Sequence, residues 1–303
     1  MNDKIPTLFK DSCLPFQLEG QDIKGRVVRL NDTVHKVLNK HKYPENISRL
    51  LGQVMAFTAL IGSMMKYDGI LTTQMKGAGP LRVMVSDFAT DGNDKPGIIR
   101  GYAGFADDTP DIKDISQLFG KDAYMAITMD QGKFMDRYQG IVSLTGEKFI
   151  EAAEEYFQSS EQLPTKIMLA CDKNKDGKWH AAAVMIQHYA RSSGQEFTRD
   201  EETTKDDWNT AEILLGSLKS QELLDDALPL QDILIRLFHQ SGVRIFDHTN
   251  LKPGCRCSTD KLRTVLASLD MEELRDIAED GIITATCEFC MRNRKFDIAK
   301  LMH

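Results

Sequence analysis

Four cysteines near the C-terminus have the types and spacing to do chemistry. Cys255 and Cys257 form a C-x-C pair, Cys287 and Cys290 a C-x-x-C pair, with 29 residues between the pairs. Each short loop can deliver two sulfurs to one centre. In a secreted protein such pairs could form a disulfide framework. In a reducing compartment, paired thiols hold a metal or carry redox chemistry. Four thiolates satisfy a tetrahedral Zn²⁺ with Zn–S bonds of about 2.3 Å. The spacing therefore predicts one zinc ion on Cys255, Cys257, Cys287 and Cys290. Cys13 and Cys171 stand alone in the sequence and read as buried structural cysteines.

The residues around the cysteines must position them. Pro253-Gly254 predicts a turn just before Cys255. Two short helices fit between the pairs. Leu262, Val265, Leu266 and Leu269 give the first an apolar face. Asp270 can cap the second, with Glu273 completing a capping box and Gly281 as its stop. Ile282 and Ile283 read as a short strand entering Cys287. A unit of roughly 50 residues has little core of its own, so the metal should supply much of its folding free energy.

Upstream, strands are expected over 27–30, 71–75, 81–87, 98–105, 123–130, 139–144, 166–172 and 181–187. Helices are expected over 44–65 and 145–159, the second carrying Phe149, Ile150, Ala153, Tyr156 and Phe157 at helical spacing. Strands outnumber helices without strict alternation, which favours α+β over a doubly wound sheet. The segment 196–207 holds six acids and two bases, the composition of a solvated linker. Helix is expected over 208–224, with Asn209 as cap and Glu212 in its first turn. Pro229 opens a second helix with Leu230, Ile233, Leu234, Leu237 and Phe238 on one face. A short strand at 243–246 leads to the cysteine unit. Three regions follow: a strand-rich α+β core with long helices over 1–193, an acidic linker and amphipathic helical segment over 194–250, and a four-cysteine zinc unit over 251–303. The middle helices cannot bury their apolar faces alone, so they must dock on the core, on a partner, or on each in turn.

Composition excludes several classes. Of 303 residues, 38 are Lys or Arg and 45 Asp or Glu, a net charge of −7, which disfavours phosphate binding. Residues 251–303 carry nine bases and nine acids, whereas a DNA-binding zinc module is basic on one face. The longest apolar run, 54–65, is shorter than the ~20 residues of a membrane helix. The N-terminus lacks the pattern of a secretory signal, so a cytoplasmic location is expected. The segment 172–177 copies the start of a calcium loop, but its twelfth position is Ala183 instead of Glu. It reads as a hairpin turn. Gly77-Ala78-Gly79-Pro80 lacks the Gly-Lys-Ser/Thr of a phosphate loop. No Ser-His-Asp set or H-E-x-x-H pair is evident, so nothing argues for an enzyme.

Taken together, these features resemble the 33-kDa heat-shock protein family, the redox-regulated chaperones. The C-x-C and C-x-x-C carry the resemblance, with Lys76-Gly77-Ala78-Gly79-Pro80-Leu81, Arg100-Gly101-Tyr102, the stretch from Tyr156 through Ser160 to Thr165, Leu237-Phe238-His239 and Glu279-Asp280-Gly281. Two positions depart: Met291 stands where a small residue is common, and Arg294 near where an aromatic often lies. The resemblance implies an ATP-independent holdase that binds unfolding proteins under oxidative stress. It implies Cys255–Cys257 and Cys287–Cys290 disulfides on oxidation, with loss of zinc, and a homodimer on activation. The apolar face Leu230, Ile233, Leu234, Leu237 and Phe238 would then become available to clients. The alternatives are a zinc-ribbon module that binds nucleic acid or protein without redox switching, an enzyme with a structural zinc, and a disulfide reductase.

Overall fold

The computed structural model describes residues 10–65, 68–90, 95–132, 135–189 and 201–301. The chain forms two compact units, Met1–Pro253 and Gly254–His303. In chain order the first carries β1 (Ser12–Leu18), β2 (Ile23–Leu30), α1 (Asp32–Leu38), α2 (Glu45–Gly62), β3 (Gly69–Lys76), β4 (Leu81–Thr90), β5 (Gly97–Phe105), α3 (Ile115–Phe119), β6 (Tyr124–Asp130), β7 (Tyr138–Ser143) and α4 (Phe149–Tyr156). A π-helical turn, Phe157–Glu161, extends α4. Then come β8 (Thr165–Lys173), β9 (Trp179–His188), α5 (Glu201–Gly216), α6 (Ser220–Leu224), α7 (Leu230–Phe238), β10 (Val243–Ile245) and β11 (Thr249–Pro253). The second unit holds α8 (Thr259–Leu266), α9 (Met271–Asp276), β12 (Ile282–Thr286) and β13 (Asn293–Asp297). The class is α+β.

One large sheet runs β7-β6-β3-β4-β5-β11-β1-β2-β9-β8, with β10 also on β1. Its described pairs are antiparallel except β11 on β5. Helix α2 lies against the sheet. Fifteen of its eighteen residues are buried, so it is a core helix rather than an amphipathic surface one. At Gly52 the helix comes so close to β8 that a Cβ would sit 2.3 Å from Cys171 Sγ.

The half-sheet β1-β2-β9-β8 is apolar on both faces, and alternation sorts its side chains. In β9, Ala181, Ala183 and Met185 join the core around α2. Ala182, Val184 and Ile186 join a second cluster with Leu14, Phe16 and Leu18 of β1. Helices α5, α6 and α7 cover that second face: Leu230, Ile233, Leu234, Leu237 and Phe238 are all buried there. The Phe238 ring stacks on Phe16 with centroids 5.9 Å apart.

Several expectations change. The acidic stretch is not loop throughout: α5 begins at Glu201, and Asn209 lies inside it rather than capping it. Residues 196–200 and the expected boundary near 193 lie outside the described residues. Helix is interrupted between Gly216 and Ser220. Helix α4 begins at Phe149, not at 145. Pro253 ends a strand rather than opening a turn. The segment 172–177 does form the β8–β9 hairpin turn, with Asn174 N–H donating to Lys178 O and Gly177 at φ 73°. Glycines 77 and 79 pack against the end of α3, where a Cβ would meet the carbonyls of Phe119 and Leu118 at 2.0 and 2.4 Å. No helix among the described residues is long and apolar enough to cross a membrane.

Candidate metal centre

Cys255 and Cys257 follow closely after β11. Ser258 then caps α8, its Oγ accepting from Lys261 N–H at 3.1 Å. Asp270 caps α9, and Glu273 returns the bond to the Asp270 N–H, so the capping box forms. Helix α9 ends at Asp276, earlier than Gly281. Asp280 (φ 51°) and Gly281 (φ 74°) instead turn the chain into β12. β12 and β13 form a hairpin whose loop carries the second cysteine pair. In that loop Met291 N–H donates to Cys287 O at 2.8 Å, and Cys287 N–H to Arg292 O at 3.1 Å. Met291 sits at φ 56°, a left-handed position that favours glycine or asparagine. That gives a backbone reason for a small residue there.

These elements bring the four sulfurs together. Cys255 and Cys287 lie 3.6 Å apart, Cys257 and Cys290 3.5 Å apart. All four lie within 4.8 Å of one another. A tetrahedron with Zn–S bonds of 2.3 Å has edges of about 3.8 Å, so the arrangement fits a tetrahedral thiophilic ion. All four thiols are half-buried. Burial raises the Cys255 pKa, but hydrogen bonds from the Cys257 amide and from the other three thiols outweigh it and hold Cys255 down at about 6. Burial and the protons they share push Cys287 up and Cys290 up to about 12. The apolar core beneath is small, with Leu266, Leu274, Ile283 and Phe296 buried. Val265, expected on that face, is 60% exposed.

The other two cysteines are inert by position. Cys13 and Cys171 lie in the core of the first unit, and burial raises both thiols. A protonated, inaccessible thiol is a poor nucleophile.

The expected client face belongs to the first unit, under the helical cover. The structure adds residues that the sequence reading missed. Arg29 of β2 is 2% exposed. Its Nε donates to Leu223 O at 3.0 Å and its Nη1 to Leu228 O at 2.9 Å, so it clasps the α6–α7 connection. Burial pulls its pKa down to about 10, against the opposing pull of Asp226 and Asp225, and it remains charged at neutral pH. Asn31 donates to Asp226, and His180 Nδ1 lies 3.4 Å from the same carboxylate. The signal in the sequence was an arginine inside the apolar strand Val27-Val28-Arg29-Leu30. Its partners, 194 and 199 residues away, left none.

A family model described as Hsp33 protein matches residues 11–297. The chain is 37% identical over 311 residues to a 33 kDa chaperonin of Caulobacter vibrioides, covering 98% of this chain and 99% of that one. It is 34% identical to a 33 kDa chaperonin of Shewanella frigidimarina, covering 92% and 90%. In fold it is similar to the crystal structure of the 33 kDa chaperonin of Thermotoga maritima, with a TM-score of 0.78, 20% identity and 96% of each chain covered.

Proposed function

Because the chain belongs to the Hsp33 family of chaperones, we propose that it is an ATP-independent holdase switched on by oxidation of its four-cysteine centre. The observation that carries this reading is the convergence of four half-buried sulfurs in a unit with few buried apolar side chains. Cys255, Cys257, Cys287 and Cys290 are the residues that would hold zinc. When bound, zinc keeps the sulfurs as thiolates and ties the two cysteine loops together.

An oxidant such as hydrogen peroxide takes electrons from the sulfurs, and the disulfides Cys255–Cys257 and Cys287–Cys290 form. Sulfurs bonded to each other no longer serve as four thiolate ligands. The cysteine unit, Gly254–His303, then loses the tie that its small core cannot replace. Its N-terminal edge adjoins β11, so unfolding there loosens the segment 194–250. The face Leu230, Ile233, Leu234, Leu237 and Phe238 is released, together with its partners on β1, β2 and β9. Exposed apolar surface of this kind binds unfolded chains and also favours pairing of two copies, so the active form is read as a homodimer. A thiol switch of this type requires a reducing resting compartment, which places the protein in the cytoplasm.

The test is aggregation of a thermally unfolding client, followed by light scattering. Zinc-loaded reduced protein should leave aggregation unchanged, and protein oxidised by peroxide at elevated temperature should suppress it. Equal behaviour of the two forms would refute the switch.

A further inference from the structure

One side chain in the cysteine unit touches a sulfur without being a ligand. Arg294 stands on β13 opposite Ala285 of β12. Its Nη2 donates to Cys257 Sγ at 3.2 Å and to Cys257 O at 3.3 Å, while its Nε donates to Thr259 Oγ1 at 3.2 Å. Three contacts on a planar fork fix the guanidinium over this one cysteine, a geometry lysine cannot copy.

We infer that Arg294 is a positioning residue that restrains oxidation of the Cys257 sulfur by peroxide. The inference rests on the redox reading above. In the reacting step the Cys257 thiolate attacks one oxygen of hydrogen peroxide. An S–O bond forms, the O–O bond breaks, and hydroxide leaves. The Cys255 thiolate then attacks the sulfenic sulfur, the S–S bond forms, and a second hydroxide leaves. Two sulfurs give up one electron each, and peroxide takes both. The first step moves negative charge from sulfur to oxygen. A charge-assisted N–H···S bond is strongest on the unreacted thiolate and weakens as that charge departs. Arg294 therefore stabilises the resting sulfur more than the sulfur under attack, and a hydrogen-bond donor on a metal ligand tunes that ligand's reactivity. Losing roughly half of one such bond at the transition state corresponds to about a five-fold difference in rate.

The test uses the full-length zinc-loaded protein. Zinc loss is followed with a chromogenic chelator at increasing peroxide, and trapped thiols are mapped by mass spectrometry. For Arg294→Met, the slope of Cys257 modification against peroxide should rise about five-fold, with the intercept of zinc loss at zero peroxide unchanged. Arg294→Lys keeps the charge without the fork and should fall between. A role confined to holding Thr259 would raise the intercept and leave the slope alone, and that result overturns the inference. Equal, non-zero slopes for wild type and variants overturn it too. A zero slope in the wild type overturns the redox reading itself, and the restraint with it.

Discussion

Replacing Arg29 by methionine should loosen the helical cover while leaving the cysteine centre intact. Methionine keeps an unbranched apolar stem but removes the charge and both hydrogen bonds to Leu223 O and Leu228 O. Two hydrogen bonds from a charged donor contribute about 4 kcal/mol. Against that, the buried guanidinium carries a desolvation cost. Its depression from 12.5 to about 10 corresponds to roughly 3 kcal/mol. The loss of one carbonyl's partner adds about 1 kcal/mol more, since Leu223 is fully buried. The balance is about 2 kcal/mol against docking, a shift of about 30-fold in the released fraction.

Amide exchange on α7 reads this directly. In reduced, zinc-loaded Arg29→Met, protection of α7 should fall about 30-fold, while α2 keeps its own. Trp208 of α5 packs edge-on to His188 at 6.2 Å, so its emission should shift to the red in a Trp179→Phe background. If release of the cover is what activates, the variant should also hold clients without oxidation. Unchanged α7 protection would refute the energetics. Lost protection without holdase activity would refute the link from cover to function. Arg29 should add no pH slope near neutrality. Its docked-state pKa is lowered, so the released state binds more protons between about 10 and 12.5, and only there does docking strengthen as pH rises.

Removing zinc with a strong chelator should abolish amide protection across 254–303 and spare α2, because the two parts are separate compact units; retained protection would show that the small core suffices. Zinc affinity should fall as pH falls, since Cys287 and Cys290 are held above the usual thiol range and must lose protons to bind; a competition titration at two pH values checks this. Gly52→Ala should lower the melting temperature, because its Cβ would meet Cys171 Sγ at 2.3 Å, an overpacking cost of about 1–3 kcal/mol. Adding Cys171→Ala should restore most of it, and no rescue would place the strain elsewhere.

The cysteine centre was legible because metal chemistry fixes residue type and local spacing together. Helix α7 was legible because burial of one face imposes a period on its apolar residues, and α2 because it is a long run rich in Leu, Met, Ala and Phe. The start of α5 was not. Acidic residues are what a helix N-terminus favours, but the same composition marks a disordered linker, and the sequence does not separate the two. Strand β10 was expected over 243–246 and forms over Val243–Ile245, whereas β11 was not expected and owes its form to the sheet it joins, where Gly97 pairs with Leu251. Arg29 and Arg294 act through a backbone carbonyl or a sulfur far away in sequence, and no local pattern announces such a contact.

The two units are stabilised in different ways, and on the proposed reading that difference lets one govern the other. The cover over β1-β2-β9-β8 is held by broad apolar burial, with Phe238 on Phe16 and five α7 side chains inside. Apolar burial is indifferent to oxidants. Among its described residues the cysteine unit buries Leu266, Leu274, Ile283 and Phe296, with partly buried apolar side chains around them, a small core for a unit of about 50 residues. On the proposed reading its fold leans on bonds to sulfur, which are the bonds peroxide attacks. An oxidant would then act on the weakly cored unit first, and the effect would reach the apolar cover through the covalent chain at Pro253. Enlarging the small core should uncouple the two: a cysteine unit able to stay folded without metal would lose its zinc to oxidation and still leave α7 docked.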